Sequence, residues 1–175
     1  MDDLFRALDE FADEIPLSVL SDWIENSEIL EDRIQSFIKF HPEHYLRNLM
    51  RRGPAYHALV LCWQPGQRSP IHDHLGSACA VRVIKGTATE TMFSQTEDGF
   101  VYPTHSRFLN QGDTMASDSA DIHQVSNLQP SGSPLITFHL YSPPLLTMNT
   151  YSLLDMSVST FTDPVNQEFV SGAGI

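Results

Sequence analysis

The triplet His72-Asp73-His74 constrains this chain more than any other stretch. It lies in WQPGQRSPIHDHLGSACAVRVIKG, from Trp63 to Gly86. In an extended strand side chains alternate faces, so His72 and His74 point one way and Asp73 the other. Two imidazoles on one face are half of a metal site. A third must come from elsewhere, and the best candidate is His123 in GDTMASDSADIHQVSN, which also reads as a strand preceded by a turn. His72, His74 and His123 are the predicted metal ligands.

A length of 175 residues predicts a single domain, 1–175, able to bury a core without disulfides or a structural metal. A metal is therefore free to be catalytic. Hydrophobic content of 41% is that of a globular protein. A net charge of −12 argues against nucleic acid, whose phosphates call for clustered Lys and Arg. MDDLFRALDEFADEIP has neither the basic start nor the apolar run of a secretory signal, and no stretch is long and apolar enough to span a membrane. With two cysteines, Cys62 and Cys79, there is no disulfide framework, and the expected location is cytoplasmic. Cys62, in the apolar run ALVLCW, reads as an inert buried thiol.

Residues 1–53 read as helical. Leu4, Leu8 and Phe11 recur at helical spacing, and Pro16 opens a segment carrying Leu17, Leu20 and Trp23. A third helix is predicted from Leu30 to about Phe40, and a fourth from about Glu43 to Arg52, stopped by Gly53-Pro54. From 54 to 160 the texture is short strands between turn residues, the clearest being Tyr56–Trp63, Ala78–Ile84, Thr87–Phe93, Tyr102–Leu109, Ile122–Val125 and Leu135–Tyr141. Ser- and Thr-rich sequence follows Tyr151, with one or two more strands expected and a loose tail over 161–175. The fold class is mainly β, a sandwich or barrel covered by helices.

The spacing G-x5-H-x-H, met by Gly66, His72 and His74, resembles the first cupin motif, and Gly86 stands where that motif ends. Gly112, His123 and Asn127 match the second, with Asp118 and Ala120 in place of its Pro and inner Gly. The resemblance implies a cupin-like β-barrel, a small jelly roll, with the N-terminal helices packed against it. Cupins usually supply a Glu as fourth ligand, and the residue at that position is Cys79. Three neutral imidazoles would leave a divalent ion electrophilic and suited to an incoming thiolate. Imidazole alone does not select among Fe, Zn, Cu and Ni.

HYLRNL, IHDHLGSAC, DIHQVSN and TFHLYSPP, in that order, resemble the cysteine dioxygenases, from about Tyr45 to Pro144. The resemblance implies an Fe(II) enzyme that adds both atoms of O2 to the sulfur of L-cysteine, giving cysteine sulfinic acid, and a monomer. Arg47, with Tyr45 and the pocket-wall Trp63, would bind substrate, the guanidinium fork matching a carboxylate. On the predicted helix Arg47 and Arg51 share a face four residues apart, so one of them is expected to have a partner. Thr137, His139 and Tyr141 fall on one strand face and correspond to the family's Ser-His-Tyr relay. Cys79 corresponds to the cysteine that some members join to this tyrosine, implying a possible Cys79–Tyr141 thioether, and the family has a cis Ser-Pro bond where Ser142-Pro143 stands. The same site could serve 3-mercaptopropionate, could load Zn for hydrolysis, or could belong to a non-catalytic metal-binding cupin.

Overall fold

The apolar run ALVLCW explains how the molecule is layered. In the computed structural model, which describes residues 2–162, this run is β2 (His57–Trp63), and all of its residues are buried. Ala58, Val60 and Cys62 face one core, while Leu59, Leu61 and Trp63 face another. A strand covered on both sides reads as continuously apolar rather than alternating.

The inner core lies between two facing sheets. One has five strands in the order β1 (Leu46–Arg52), β2, β9 (Leu135–Ser142), β4 (Ala78–Lys85), β7 (Thr114–Ser117). The other has six, in the order β11 (Val158–Thr162), β10 (Thr147–Tyr151), β3 (Ile71–His72), β8 (Ile122–Ser126), β5 (Thr87–Gln95), β6 (Val101–Asn110). The arrangement is the jelly roll expected, as two sheets that face each other without closing into a continuous barrel. β4 and β5 are joined by Gly86 at φ 83°, where an added Cβ would meet the Pro134 carbonyl oxygen at 2.7 Å.

The outer core is covered by the N-terminal segment. α1 (Asp2–Phe5) and the turns after it insert Phe5 and Leu8, and α2 (Leu17–Asn26) inserts Leu20 and Ile24 against Phe138 and Leu140 of β9. Pro16 precedes α2, as its sequence suggested. Arg82 Nη1 on β4 donates to the Ile24 carbonyl at 3.0 Å, satisfying an acceptor that the end of α2 leaves open. Leu20 is fully buried, so truncation to alanine would destabilise by about 2–5 kcal/mol.

Two of the expected helices are corrected. The segment expected to be helical from Leu30 to Phe40 is a 3-10 helix over Glu31–Phe37. The segment expected to be helical from Glu43 to Arg52 is the edge strand β1, antiparallel to β2. Leu, Arg and Met are good helix formers, but pairing with a buried strand outweighs local propensity. A bulge between Leu49 and Arg51 then reverses the faces. Arg47, opposite Leu61, is on the inner side; Arg51, opposite Ala58, is on the outer side, where it pairs with Asp9. The two arginines therefore share no face. Val158–Thr162 supplies the late strand, and the rest of the predicted tail, 163–175, lies outside the described residues.

Candidate metal centre

Register brings the histidines together. His72 on β3 is directly opposite His123 on β8, and His74 follows in a turn whose Leu75 has φ 42°. His74 N donates to the Ser119 carbonyl at 3.2 Å, which ties that turn to the loop before β8. One ligating atom from each of the three rings lies within 4.8 Å of the others.

Their hydrogen bonds point the lone pairs inward. His72 Nδ1 lies 3.0 Å from the Pro70 carbonyl and His123 Nδ1 lies 2.8 Å from Glu90 Oε1, so each of these nitrogens carries the proton and leaves Nε2 bare. His123 Nε2 faces His74 Nε2 at 3.2 Å, and His74 Nδ1 is buried with no hydrogen-bond partner among the described residues. Burial, followed by the neighbouring His123, holds His72 and His74 well below the usual imidazole range. Imidazoles whose lone pairs converge are what a divalent cation requires, so the residues present fit a metal.

Glu90, on β5, was not singled out by the sequence reading. It is fully buried and accepts from both His123 Nδ1 and Arg107 Nε, at 2.8 and 2.5 Å. Burial would raise its pKa, but the hydrogen bonds from His123 and Arg107, with the charge of the guanidinium, prevail and hold it below the ordinary value. A carboxylate behind a ligating histidine fixes the ring and its tautomer. A signal was present in TATETMF, since strand alternation puts Glu90 on the inner face with Ala88. Asp73 points away from the ligands, as the alternation implied. It accepts from Asn149 N, Asn149 Nδ2 and Tyr151 Oη at 3.2, 3.0 and 2.7 Å, fastening β10 against β3.

Thr137, His139 and Tyr141 lie on the inner face of β9, and His139 and Tyr141 line the chamber with the three histidines. Trp63 Nε1 donates to Thr137 Oγ1 at 3.1 Å, Oγ1 lies 2.8 Å from His139 Nε2, and His139 Nδ1 lies 3.0 Å from Tyr141 Oη. Arg47 Nη1 donates to the same phenol oxygen at 3.4 Å. The indole and the guanidinium can only donate. Thr137 therefore accepts from Trp63, and among the described residues its own proton has one acceptor, His139 Nε2. His139 is then protonated at Nδ1 and donates to Tyr141. With two donors already on its oxygen, the Tyr141 O–H is left for Cys79 or for a group bound in the chamber. Burial, then Arg47, keeps His139 neutral, and burial, then Cys79, raises Tyr141 far above the usual phenol range, so the phenol keeps its proton.

Cys79 on β4 is directly opposite Tyr141 on β9 and fully buried, and burial pushes its thiol up to about 12 despite the Tyr141 hydrogen bond and Arg47. Cys62 is buried in the outer core, its thiol pushed up to about 11 by burial. Tyr45 stacks on Trp63, centroids 4.1 Å apart and planes 11° apart. The space among the histidines is nearly filled, with about 10 Å³ free, whereas the neighbouring cavity holds about 1180 Å³. Tyr45 and Arg47 line both, so they form the partition between them. The Ser142–Pro143 peptide is cis, as the resemblance implied. No helix among the described residues is long and apolar enough to cross a membrane.

Comparison with solved structures places the fold. A conserved protein from Klebsiella pneumoniae with a double-stranded β-helix domain superposes with a TM-score of 0.52 at 19% identity, covering 67% of this chain and 86% of its own. A second structure, from Thermus thermophilus, gives 0.50 at 19% identity over 63% of this chain and 94% of its own. Sequence relatives are nearer. The chain is 30% identical to the cysteine dioxygenase type 1 of Rattus norvegicus over 155 residues, and 29% identical to that of Homo sapiens over the same length, in both cases 85% of this chain and 77% of the relative. The family model described as cysteine dioxygenase type I matches residues 11–153, a span that contains the three histidines, Glu90, Arg47 and the whole of β9, and the chain belongs to that family.

Proposed function

We propose that the protein is an Fe(II) dioxygenase that oxidises the thiol of L-cysteine to cysteine sulfinic acid. The observation that carries this reading is the position of Arg47, a guanidinium at the partition of a chamber whose cluster of candidate metal donors is three imidazoles with no carboxylate among them. Fe(II) held by His72, His74 and His123 would activate O2 for transfer of both oxygen atoms to sulfur. The balance is RSH plus O2 giving RSO2H, with no external reductant.

The chain's own residues do the rest. Neutral ligands leave a divalent charge to be met by an anion, which favours a substrate bound as its thiolate. Arg47 presents paired N–H donors to a carboxylate, and the exchange of its long contact with Tyr141 for a charge-assisted pair would draw substrate from the outer cavity into the chamber. Tyr141 offers its O–H to the bound substrate or oxygen, while Thr137 and Trp63 hold His139 so that this proton points inward. Leu61, Trp63 and Val125 supply apolar walls that limit access of water. Cys79, opposite Tyr141, is the partner for a thioether, which would anchor the phenol.

The test is anaerobic reconstitution with Fe(II), then oxygen uptake and product mass with L-cysteine and 3-mercaptopropionate side by side. Uptake with cysteine and a product heavier by two oxygens is expected. A preference for 3-mercaptopropionate would replace L-cysteine by a thiol that lacks the amine, and no uptake with either in iron-loaded protein would leave a metal-binding cupin without this activity.

A further inference from the structure

A second cluster of ligating side chains lies outside the three-histidine chamber, in His41-Pro42-Glu43-His44 just ahead of β1. One donor atom from each of His41, Glu43 and His44 lies within 4.8 Å of the other two. Donors bound about 2.0–2.2 Å from one ion stand at most about 4.4 Å apart, so small rotations of these side chains bring the set onto one ion. The two imidazoles already stack, with centroids 4.0 Å apart and planes 28° apart.

The segment is held before any ion arrives. The His41 carbonyl accepts from Gln67 Nε2 at 2.8 Å, and the Lys39 carbonyl accepts from Asn48 Nδ2 at 3.2 Å. Pro42 fixes the backbone between the first two donors. The backbone is then already ordered, and binding has only the side chains to fix. Glu43 N donates to His41 Nδ1 over a long 3.3 Å, a contact that an ion taken up through His41 would replace.

We propose that His41, Glu43 and His44 form a second divalent transition-metal site, occupied independently of the three-histidine centre. Two imidazoles with one carboxylate suit Zn(II), Ni(II) or Cu(II), whereas Mg(II) and Ca(II) require shells of oxygen. The site lies on the rim of the outer cavity, whose lining includes Glu43, His44, Tyr45 and Arg47. An ion there braces the residues leading into the partition and adds positive charge at the approach used by an anionic substrate.

The experiment is a calorimetric titration of the metal-free full chain with Zn(II). Two equivalents are expected for the wild type. Glu43→Gln and His44→Ala should each weaken one of them by more than about tenfold and leave the other unchanged. His123→Ala should lose the other and retain the first, with the ring resonances of His41 and His44 shifting as it fills. His44 and Glu43 are exposed, so their substitution leaves the core intact. A wild type that takes up one equivalent, abolished by His123→Ala, overturns the proposal. So does a second equivalent that survives in the His41→Ala/His44→Ala double variant. Neither result bears on the oxidation of thiols, which is read from oxygen uptake.

Discussion

Glu90→Gln isolates the contribution of the buried carboxylate behind His123. The substitution keeps the size of the side chain and one carbonyl acceptor, so His123 Nδ1 can still donate to it. It removes the negative charge and places an NH2 where Arg107 Nε now donates at 2.5 Å, setting donor against donor. Two effects follow. His123 becomes a weaker donor to a metal, and loss of such a supporting carboxylate lowers metal affinity by about 10–100-fold, equivalent to about 1.4–2.8 kcal/mol. The metal-free fold loses a charge-assisted bond that is fully buried on the Glu90 side and half exposed on the Arg107 side, where solvent screens it. That places the stability loss near the lower end of the range of about 1–3 kcal/mol for an unsatisfied buried partner. Affinity is measured by competition for Zn(II) with a chromophoric chelator, and stability by urea unfolding of metal-free protein. Affinity within threefold of wild type, together with an unchanged urea midpoint, would show that Glu90 neither orients nor polarises His123.

Further expectations concern the pocket and its protonation. Arg47→Gln should raise the KM for cysteine by about 10–100-fold, as expected for losing a hydrogen bond to a charged group worth about 1.5–3 kcal/mol, with a smaller change in kcat; an unchanged KM in steady-state oxygen uptake would remove Arg47 from substrate binding. In Zn(II)-loaded protein with 15N-labelled histidine, His139 should be protonated at Nδ1, and Trp63→Phe should disturb that tautomer, since it opens another position for the Thr137 proton; an Nε2-protonated His139 in the wild type would reverse the direction inferred for the relay. His72, His74 and His139 have folded pKa values well below the unfolded 6.5, so the unfolded chain binds more protons beneath that pH. Metal-free protein should therefore be most stable above pH 6.5 and lose stability as the pH falls below it, with a slope approaching about 1.4 kcal/mol per pH unit for each histidine. Urea midpoints that stay level between pH 7.5 and 5.5 would contradict the buried, neutral state of these rings.

What could be read from the chain before folding was whatever depends on short-range period and spacing. Strand alternation put His72 and His74 on one face, grouped Thr137, His139 and Tyr141 on another, and turned Asp73 away; the structure has each of these orientations. Alternation also carried the information that Glu90 points inward, though its partners, His123 and Arg107, lie on other strands. The helical reading of residues 43–52 failed because the helix propensity of Leu46, Arg47, Leu49 and Met50 is outweighed by pairing with a buried strand that begins several residues later.

The sequence by itself determined that His72 and His74 offer two imidazoles on one face, because side-chain identity and strand phase are local properties. Tertiary structure alone decided which groups act on them. The bulge after Leu49 sends Arg47 inward and Arg51 to Asp9. The β2–β9 register sets Trp63 within reach of Thr137, across 74 positions of chain. These contacts depend on how strands distant in sequence are brought side by side, which no local pattern encodes.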